Sequence, residues 1–202
     1  PPDTLPLSFG TNYPVIDITY GLGIPDLLNG EYHFHRLQFG VRHWFNVFSF
    51  GWSKYILETG KIWGTLPYPL LKIMPGNETF LFDEYAYNLM DYYEYLSDAY
   101  VGLYYTHHFD GLILDRIPLM RKLKWRTVVH ARGVIGTLTD DNKSYSEFPA
   151  IMSDLQRPYY ETGVGIENIF RIFRVDAIWR LTHRQESNVD NFALFLSFWF
   201  SF

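Results

Sequence analysis

The stretch NFALFLSFWFSF, residues 191–202, repeats with a period of two. Phe192, Leu194, Leu196, Phe198, Phe200 and Phe202 fall on one side, and Ala193, Phe195, Ser197, Trp199 and Ser201 on the other. That period belongs to an extended strand, whose successive side chains point to opposite faces. One face is thus entirely apolar and has to be covered, by a second protein layer or by hydrocarbon. A strand tilted across an outer membrane needs roughly 9 to 11 residues. This segment is long enough, and Phe198, Phe200 and Phe202 read as a C-terminal barrel signal.

The same rhythm returns along the chain. Residues 13–23 set Ile16, Ile18, Tyr20 and Leu22 against Asp17 and Thr19, and 33–44 set Leu37, Phe39 and Val41 against Arg36, Gln38 and Arg42. In 50–61, Tyr55 and Leu57 oppose Lys54 and Glu58, and in 98–109 Val101, Leu103 and Tyr105 form the apolar set. Residues 124–134 place Trp125, Thr127, Val129 and Ala131 opposite Arg126, His130 and Arg132. In 158–168, Tyr160, Thr162, Val164 and Ile166 alternate with Glu161, Gly163, Gly165 and Glu167. In 170–184, Phe173, Val175, Ala177, Trp179 and Leu181 face away from Arg174, Asp176 and Arg180. With the last segment this makes about eight strands of spanning length, each a weak signal alone, as in transmembrane barrels. The predicted fold class is all-β, an antiparallel transmembrane β-barrel.

The charges decide which side would meet lipid. Asp17, Arg36, Arg42, Lys54, Glu58, Arg126, Arg132, Glu161, Glu167, Arg174, Asp176 and Arg180 all fall on the polar sides. Turning an Arg or Lys toward lipid near the midplane costs roughly 2–4 kcal/mol, so these residues are predicted to face a lumen. Both signs occur, which favours an ion-paired, partly filled interior over a strongly selective pore.

Composition agrees. Aromatic residues make up 19% of the chain, with Tyr and Phe well ahead of Trp, and rings with a polar tip suit the aromatic girdles of barrels. No apolar run of about 18 residues appears, which argues against a helical membrane protein. The mean hydropathy of -0.11 is compatible with a barrel, whose lumen-facing half dilutes it. A formal net charge of -5 gives no electrostatic footprint for nucleic acid. The absence of cysteine excludes disulfides and thiolate metal sites. The opening PPDTLPLSFG lacks the pattern of a secretory leader and reads as joined to something upstream.

Links alternate in length. Residues 168–171 form a tight link, whereas 24–31, 64–96, 136–157 and 185–190 are longer and more polar or turn-rich. Outer-membrane barrels keep short turns on the periplasmic side and long loops outside. DGLILDRIPLMRKLKWR is an exception, a longer link predicted on the short-turn side. Its Arg121, Lys122, Lys124 and Arg126 beside Ile117, Leu119, Met120 and Leu123 suit inner-leaflet headgroups, and equally a solvated basic turn.

The runs GKIWGTLPYPLLKIMPGNETF, YNLMDYYEYLSDAYVGLYYTHHFDGLILDRIPLMRKLKWR and YYETGVGIENIFRIFRVDAIWRLTHR carry a resemblance over nearly the whole chain. They resemble the C-terminal barrel of a family of uncharacterised Bacteroidota outer-membrane proteins, in which a carboxypeptidase-regulatory-like domain precedes a domain of unknown function. A more distant likeness is to the sixteen-stranded surface-antigen barrels of BamA and TamA type. There too a glycine-rich strand precedes a last hairpin with an Arg-x-Asp element, similar to Arg174, Val175 and Asp176, and the chain ends on an aromatic residue. The likeness implies that residues 1–202 are the C-terminal half of a sixteen-stranded barrel, and that the insertion at 64–96 corresponds to the superfamily's inward-folded loop. In place of the superfamily's Arg-Gly-aromatic tip this chain has Pro75, Gly76, Asn77 and Glu78. A charge-reversed substitute is expected, with Glu78 held by Arg132 or His130 on the lumen wall.

Other chemistry is weaker. His33 and His35 share a strand face, and with His107 and His108 they could in principle assemble a metal site, against interfacial or lumen histidines. Asp83, Glu84, Asp91 and Glu94 could do acid/base work, against a solvated loop. No Ser, His and Asp announce a nucleophilic set, so no enzyme and no cofactor is expected. A soluble β-sandwich would need a second layer over the aromatic row and would bury many unpaired charges. An eight-stranded closed barrel of this chain alone is geometrically possible. The expected location is the cell outer membrane, with lipid and other outer-membrane proteins or lipoproteins as partners. The expected function is non-enzymatic: a scaffold or helper in assembly, translocation or anchoring, or alternatively a channel or accessory barrel for nutrient uptake.

Overall fold

Period-two sequence with β-branched and aromatic residues on one side favours strands, and the eight predicted segments are eight strands of one sheet. The computed structural model describes residues 13–27, 30–155, 157–185 and 189–198. In chain order the strands are β1 (Val15–Gly23), β2 (Phe34–Asn46), β3 (Trp52–Trp63), β4 (Lys72–Ile73), β5 (Tyr95–Ser97) and β6 (Ala99–His108). They continue as β7 (Arg126–Thr137), β8 (Ser153–Asp154), β9 (Tyr159–Ile169), β10 (Phe173–Arg180) and β11 (Phe192–Phe198). Two short helices, α1 (Pro118–Leu123) and α2 (Asp140–Tyr145), lie in links.

The large sheet runs β1-β2-β3-β6-β7-β9-β10-β11, with every neighbouring pair antiparallel. It is open: β1 and β11 do not pair and no closed barrel forms among the described residues. A second sheet, β4-β5-β8, was not legible in the sequence because its strands are two or three residues long. It joins the 64–98 insertion to the 138–158 link through a parallel β5–β8 pairing.

Register sorts the two faces. Pairings such as Glu58↔Gly102 and Arg132↔Glu161 carry one face across the sheet. Ile18↔Phe39 and Ala177↔Leu194 carry the other. On the second face Ile18, Leu37, Leu103, Val164, Trp179 and Leu194 are all exposed, giving an apolar surface from one edge to the other, with Lys61 at its margin. The core lies instead on the polar face, where the insertion settles. Met74, Tyr87, Met90 and Tyr95 from the insertion pack with Ile56, Tyr104, Val134 and Tyr159 from the sheet. A second cluster of Ile62, Leu66, Leu71, Leu96, Leu138 and Met152 closes the long-loop end.

Candidate functional site

The site is the contact between the insertion and the polar face. Register places all twelve of the predicted lumen charges on that one face: Asp17, Arg36, Arg42, Lys54, Glu58, Arg126, Arg132, Glu161, Glu167, Arg174, Asp176 and Arg180. They meet different fates there. Arg132, Glu161, Glu167, Arg174, Asp176 and Arg180 are buried.

Glu161 and Arg132 act as a clamp on loop backbone. The Asn88 and Leu89 N–H groups donate to Glu161 Oε1 and Oε2 at 2.8 and 3.0 Å, and the Tyr159 hydroxyl donates to Oε2 at 2.9 Å. Arg132 Nη1 donates to the Asp83 carbonyl at 2.8 Å and to the Ala86 carbonyl. The two side chains are 3.8 Å apart. On the next strand Arg180 donates to the Leu89 carbonyl at 2.9 Å and pairs with Glu94. Buried charges are tolerated when paired and hydrogen-bonded, and here the insertion supplies partners to Glu161, Arg180 and Arg132 Nη1, while Arg132 Nη2 is buried without a hydrogen-bond partner among the described residues.

Phe82 is the aromatic anchor. Its ring lies 4.6 Å from the Arg132 guanidinium and 4.7 Å from that of Arg174, a cation–π arrangement on two sides. It also covers His130, at 4.9 Å between ring centroids. His130 Nε2 sits 2.7 Å from Asp176 Oδ1, and Arg174 Nε donates to both Asp176 oxygens. Gly165, on the glycine-rich strand, leaves room for this carboxylate: a Cβ there would lie 2.1 Å from Asp176 Oδ1. Thr106 Oγ1 lies 3.2 Å from His130 Nδ1. Hydroxyl, imidazole and carboxylate therefore line up, but under the Phe82 ring and with Arg174 engaging the acid.

The segment Pro75, Gly76, Asn77 and Glu78 does not make the wall contact expected of it. Gly76 bridges to Tyr87, and a Cβ on it would meet the Asp91 and Met90 carbonyls at 2.3 and 2.5 Å. Asn77 Nδ2 donates to the Leu81 carbonyl and to Asn88 Oδ1. Glu78 accepts the Tyr92 N–H at 3.0 Å, so the expected bond from Glu78 to Arg132 or His130 is corrected. The wall is gripped by residues 82–89 and mostly through backbone, which composition cannot reveal. Burial pushes the Tyr87 phenol well above its ordinary range. Burial, then Glu94 and Glu78, raises the Asp91 carboxyl.

Beyond Phe82 the loop reaches the edge of the sheet. The Leu196 N–H donates to the Phe80 carbonyl at 2.9 Å, and the Phe82 N–H donates to the Leu196 carbonyl at 2.8 Å. Leu81 and Leu196 thus form a parallel bridge on β11. Phe198 is the last residue of that strand; Phe200 and Phe202 lie outside the described residues.

The other candidates separate. The acidic residues of the insertion divide: Asp83 is exposed, Glu84 pairs with Lys54 at 2.7 Å while partly in solvent, Asp91 is half-buried, and Glu94 is buried on Arg180. His107 and His108 point to opposite faces, the first bonded to Ser53 and the second to Glu167. No three metal-ligating side chains gather among the described residues.

Residues 7–151 match the family described as "Family of unknown function (DUF5686) C-terminal domain". No curated protein matches the chain. The matched span holds the insertion and Arg132, whereas Glu161, Asp176 and Arg180 follow it. With well over half of its length matched, the chain belongs to the DUF5686 C-terminal domain family.

Proposed function

We propose that residues 1–202 form the C-terminal half of a sixteen-stranded barrel in the cell outer membrane. In this reading the barrel works without catalysis, as a scaffold or helper in assembling, translocating or anchoring outer-membrane or surface proteins. The observation that carries the reading is the path of the insertion, which is clamped to the polar face and bridges to the edge of the last strand. The apolar face, exposed along all eight strands, is what lipid would solvate. Unpaired strand edges are not tolerated in hydrocarbon, so further strands must meet β1 and β11. A single parallel bridge is weaker than the antiparallel ladder an arriving strand would make, so the β11 edge can exchange one for the other.

Residues 1–202 hold no cysteine, so a pair introduced among them has no competing thiol within this region. Leu81→Cys with Leu196→Cys locks the insertion onto the edge. Under the proposal, outer-membrane and surface proteins that co-purify with the wild type fall in abundance in cells relying on the locked form, and recover on reduction. Unchanged abundance sinks the reading. The alternative, a channel or accessory barrel for nutrient uptake, draws on the less covered half of the polar face, where Asp17 and Arg42 stay half exposed. Steady, solute-dependent currents from the full-length protein in planar bilayers would favour it.

A further inference from the structure

The topology gathers three links at one end of the large sheet: 47–51 between β2 and β3, 109–125 between β6 and β7, and 170–172 between β9 and β10. They touch. Asn168 Nδ2 donates to the Lys124 carbonyl at 2.7 Å, tying the last link to α1. A Cβ on Gly51 would overlap the His108 carbonyl, so the first link lies against the end of β6.

This end is the reverse of the rest of the molecule in charge. Its links carry five basic residues, Arg116, Arg121, Lys122, Lys124 and Arg171, against Asp110 and Asp115. Asp110 is taken by Arg126, at 3.4 Å. Among the described residues no carboxylate pairs with any of the five. The links at the opposite end, 24–33, 64–98, 138–158 and 181–191, hold fourteen acidic residues and four basic ones. A chain of net charge -5 therefore keeps one cationic end. That same end exposes large apolar groups: Phe48 is 97% and Phe170 81% exposed, with Phe50, Ile117, Leu119 and Leu123 also in the open. Cations interleaved with exposed apolar side chains form the arrangement that seats a segment at a headgroup boundary.

We propose that this end binds the headgroups of anionic glycerophospholipid, with phosphatidylglycerol as the probe, in the leaflet on the short-turn side. Arg121, Lys122 and Lys124 meet the phosphates, and the link's apolar groups enter the acyl boundary. The proposal rests on the membrane-barrel reading above. Each Lys or Arg close to an anionic surface strengthens binding about fivefold, and salt screens it.

The test reconstitutes the full-length protein into vesicles of phosphatidylcholine and phosphatidylglycerol, extracts it gently with detergent, and measures the lipid that stays bound. Phosphatidylglycerol is expected to be enriched over its bulk share, and to lose most of that enrichment as salt rises from 50 to 500 mM. Arg121→Gln/Lys122→Gln/Lys124→Gln should weaken its binding roughly a hundredfold and bring retention down to the bulk share, while Arg157→Gln/Arg184→Gln, at the opposite end, leaves it unchanged. Wild-type retention at the bulk share, or a salt-insensitive enrichment, overturns the proposal even if the triple variant fails to fold. Equal enrichment in the triple variant, or preferential retention of lipopolysaccharide, overturns it too. These failures differ from failure of the barrel reading itself, in which alkaline carbonate strips the protein from the vesicles and both fall together.

Discussion

Arg132 with Glu161 and Arg42 with Asp17 are ion pairs of one kind on one face of one sheet. The first has side chains 2% and 1% exposed, the second 47% and 52%. The better covered pair has the longer separation, 3.8 Å against 2.9 Å. The difference is the insertion, which lies over β6 to β11 and leaves β1 and β2 largely open. Under the insertion Arg132 and Glu161 spend their hydrogen bonds on loop backbone rather than on each other. In the open half they have water and one another, where such a pair contributes little.

The contrast is broken most directly at Glu161. Removing one partner of a buried charge set leaves the other uncompensated, at about 3–5 kcal/mol. Glu161→Ala also strips the Asn88 and Leu89 N–H groups and the Tyr159 hydroxyl of their acceptor. The full-length protein carrying it should show a lower urea midpoint in vesicles, and faster proteolysis within 75–95. A midpoint as little altered as that of an open-half variant would mean that the insertion does not depend on its clamp.

Gly76→Ala tests the insertion's internal packing without touching any charge. The added methyl meets two backbone carbonyls, and backbone cannot swing aside as a side chain can. A loss of about 3 kcal/mol, the upper end for forced overpacking, is expected. Its proteolysis pattern should match that of Glu161→Ala although the two residues share no bond. A Gly76→Ala protein of wild-type stability would show that the turn at 75–78 is free to re-form.

This contrast also marks what could be read from the residues. Alternation assigned Asp17 and Glu161 to the same face, because a period of two fixes sidedness in any strand. It could not distinguish their burial, which is set by a segment arriving from between β3 and β6. The expectation placed the loop's hold in Glu78, a charged side chain visible in the sequence. The hold lies in the carbonyls of Asp83 and Ala86 and the N–H groups of Asn88 and Leu89, which every residue type carries. Phe82 is one of several aromatics in the insertion, and nothing in the sequence marks it out from Phe80 or Tyr85 as the ring that meets the cations. The sheet β4-β5-β8 was hidden because two or three residues are too short to establish a period.

Asp98 sharpens the comparison through pH, at the join between the two long loops. Its oxygens accept the Thr139 N–H at 2.8 Å, Asn142 Nδ2 at 3.1 Å and Lys61 Nζ at 3.4 Å. Burial acts to raise its carboxyl, but the Thr139 backbone and side chain, Asn142 and Lys61 outweigh it and hold the group below its ordinary 3.8. With the folded value depressed, the stabilisation is complete above that ordinary value and is lost as pH falls through the lower one. Bonds to a charged acceptor put it at about 1.5 kcal/mol. Protection of residues 138–155 against hydrogen exchange, taken relative to the intrinsic rate at each pH, should therefore fall in the wild type as pH drops below 3.8, and be low already at about pH 5 in Asp98→Asn.

The smallest effect is expected where the pair looks best by distance. Arg42→Gln removes a 2.9 Å bond to Asp17, yet both groups are half in solvent, and the loss should stay below about 1 kcal/mol and shrink further in salt. The measurement is the same urea midpoint, at 50 and 500 mM salt. A loss as large as that of Glu161→Ala would mean that the open half of the face is covered in the full-length protein by something other than this insertion. In the barrel reading the candidate is the other half of the wall, facing β1 across the lumen. Arg42→Gln then becomes a probe of closure: a small effect leaves that part of the polar face to water, and a large one fills it.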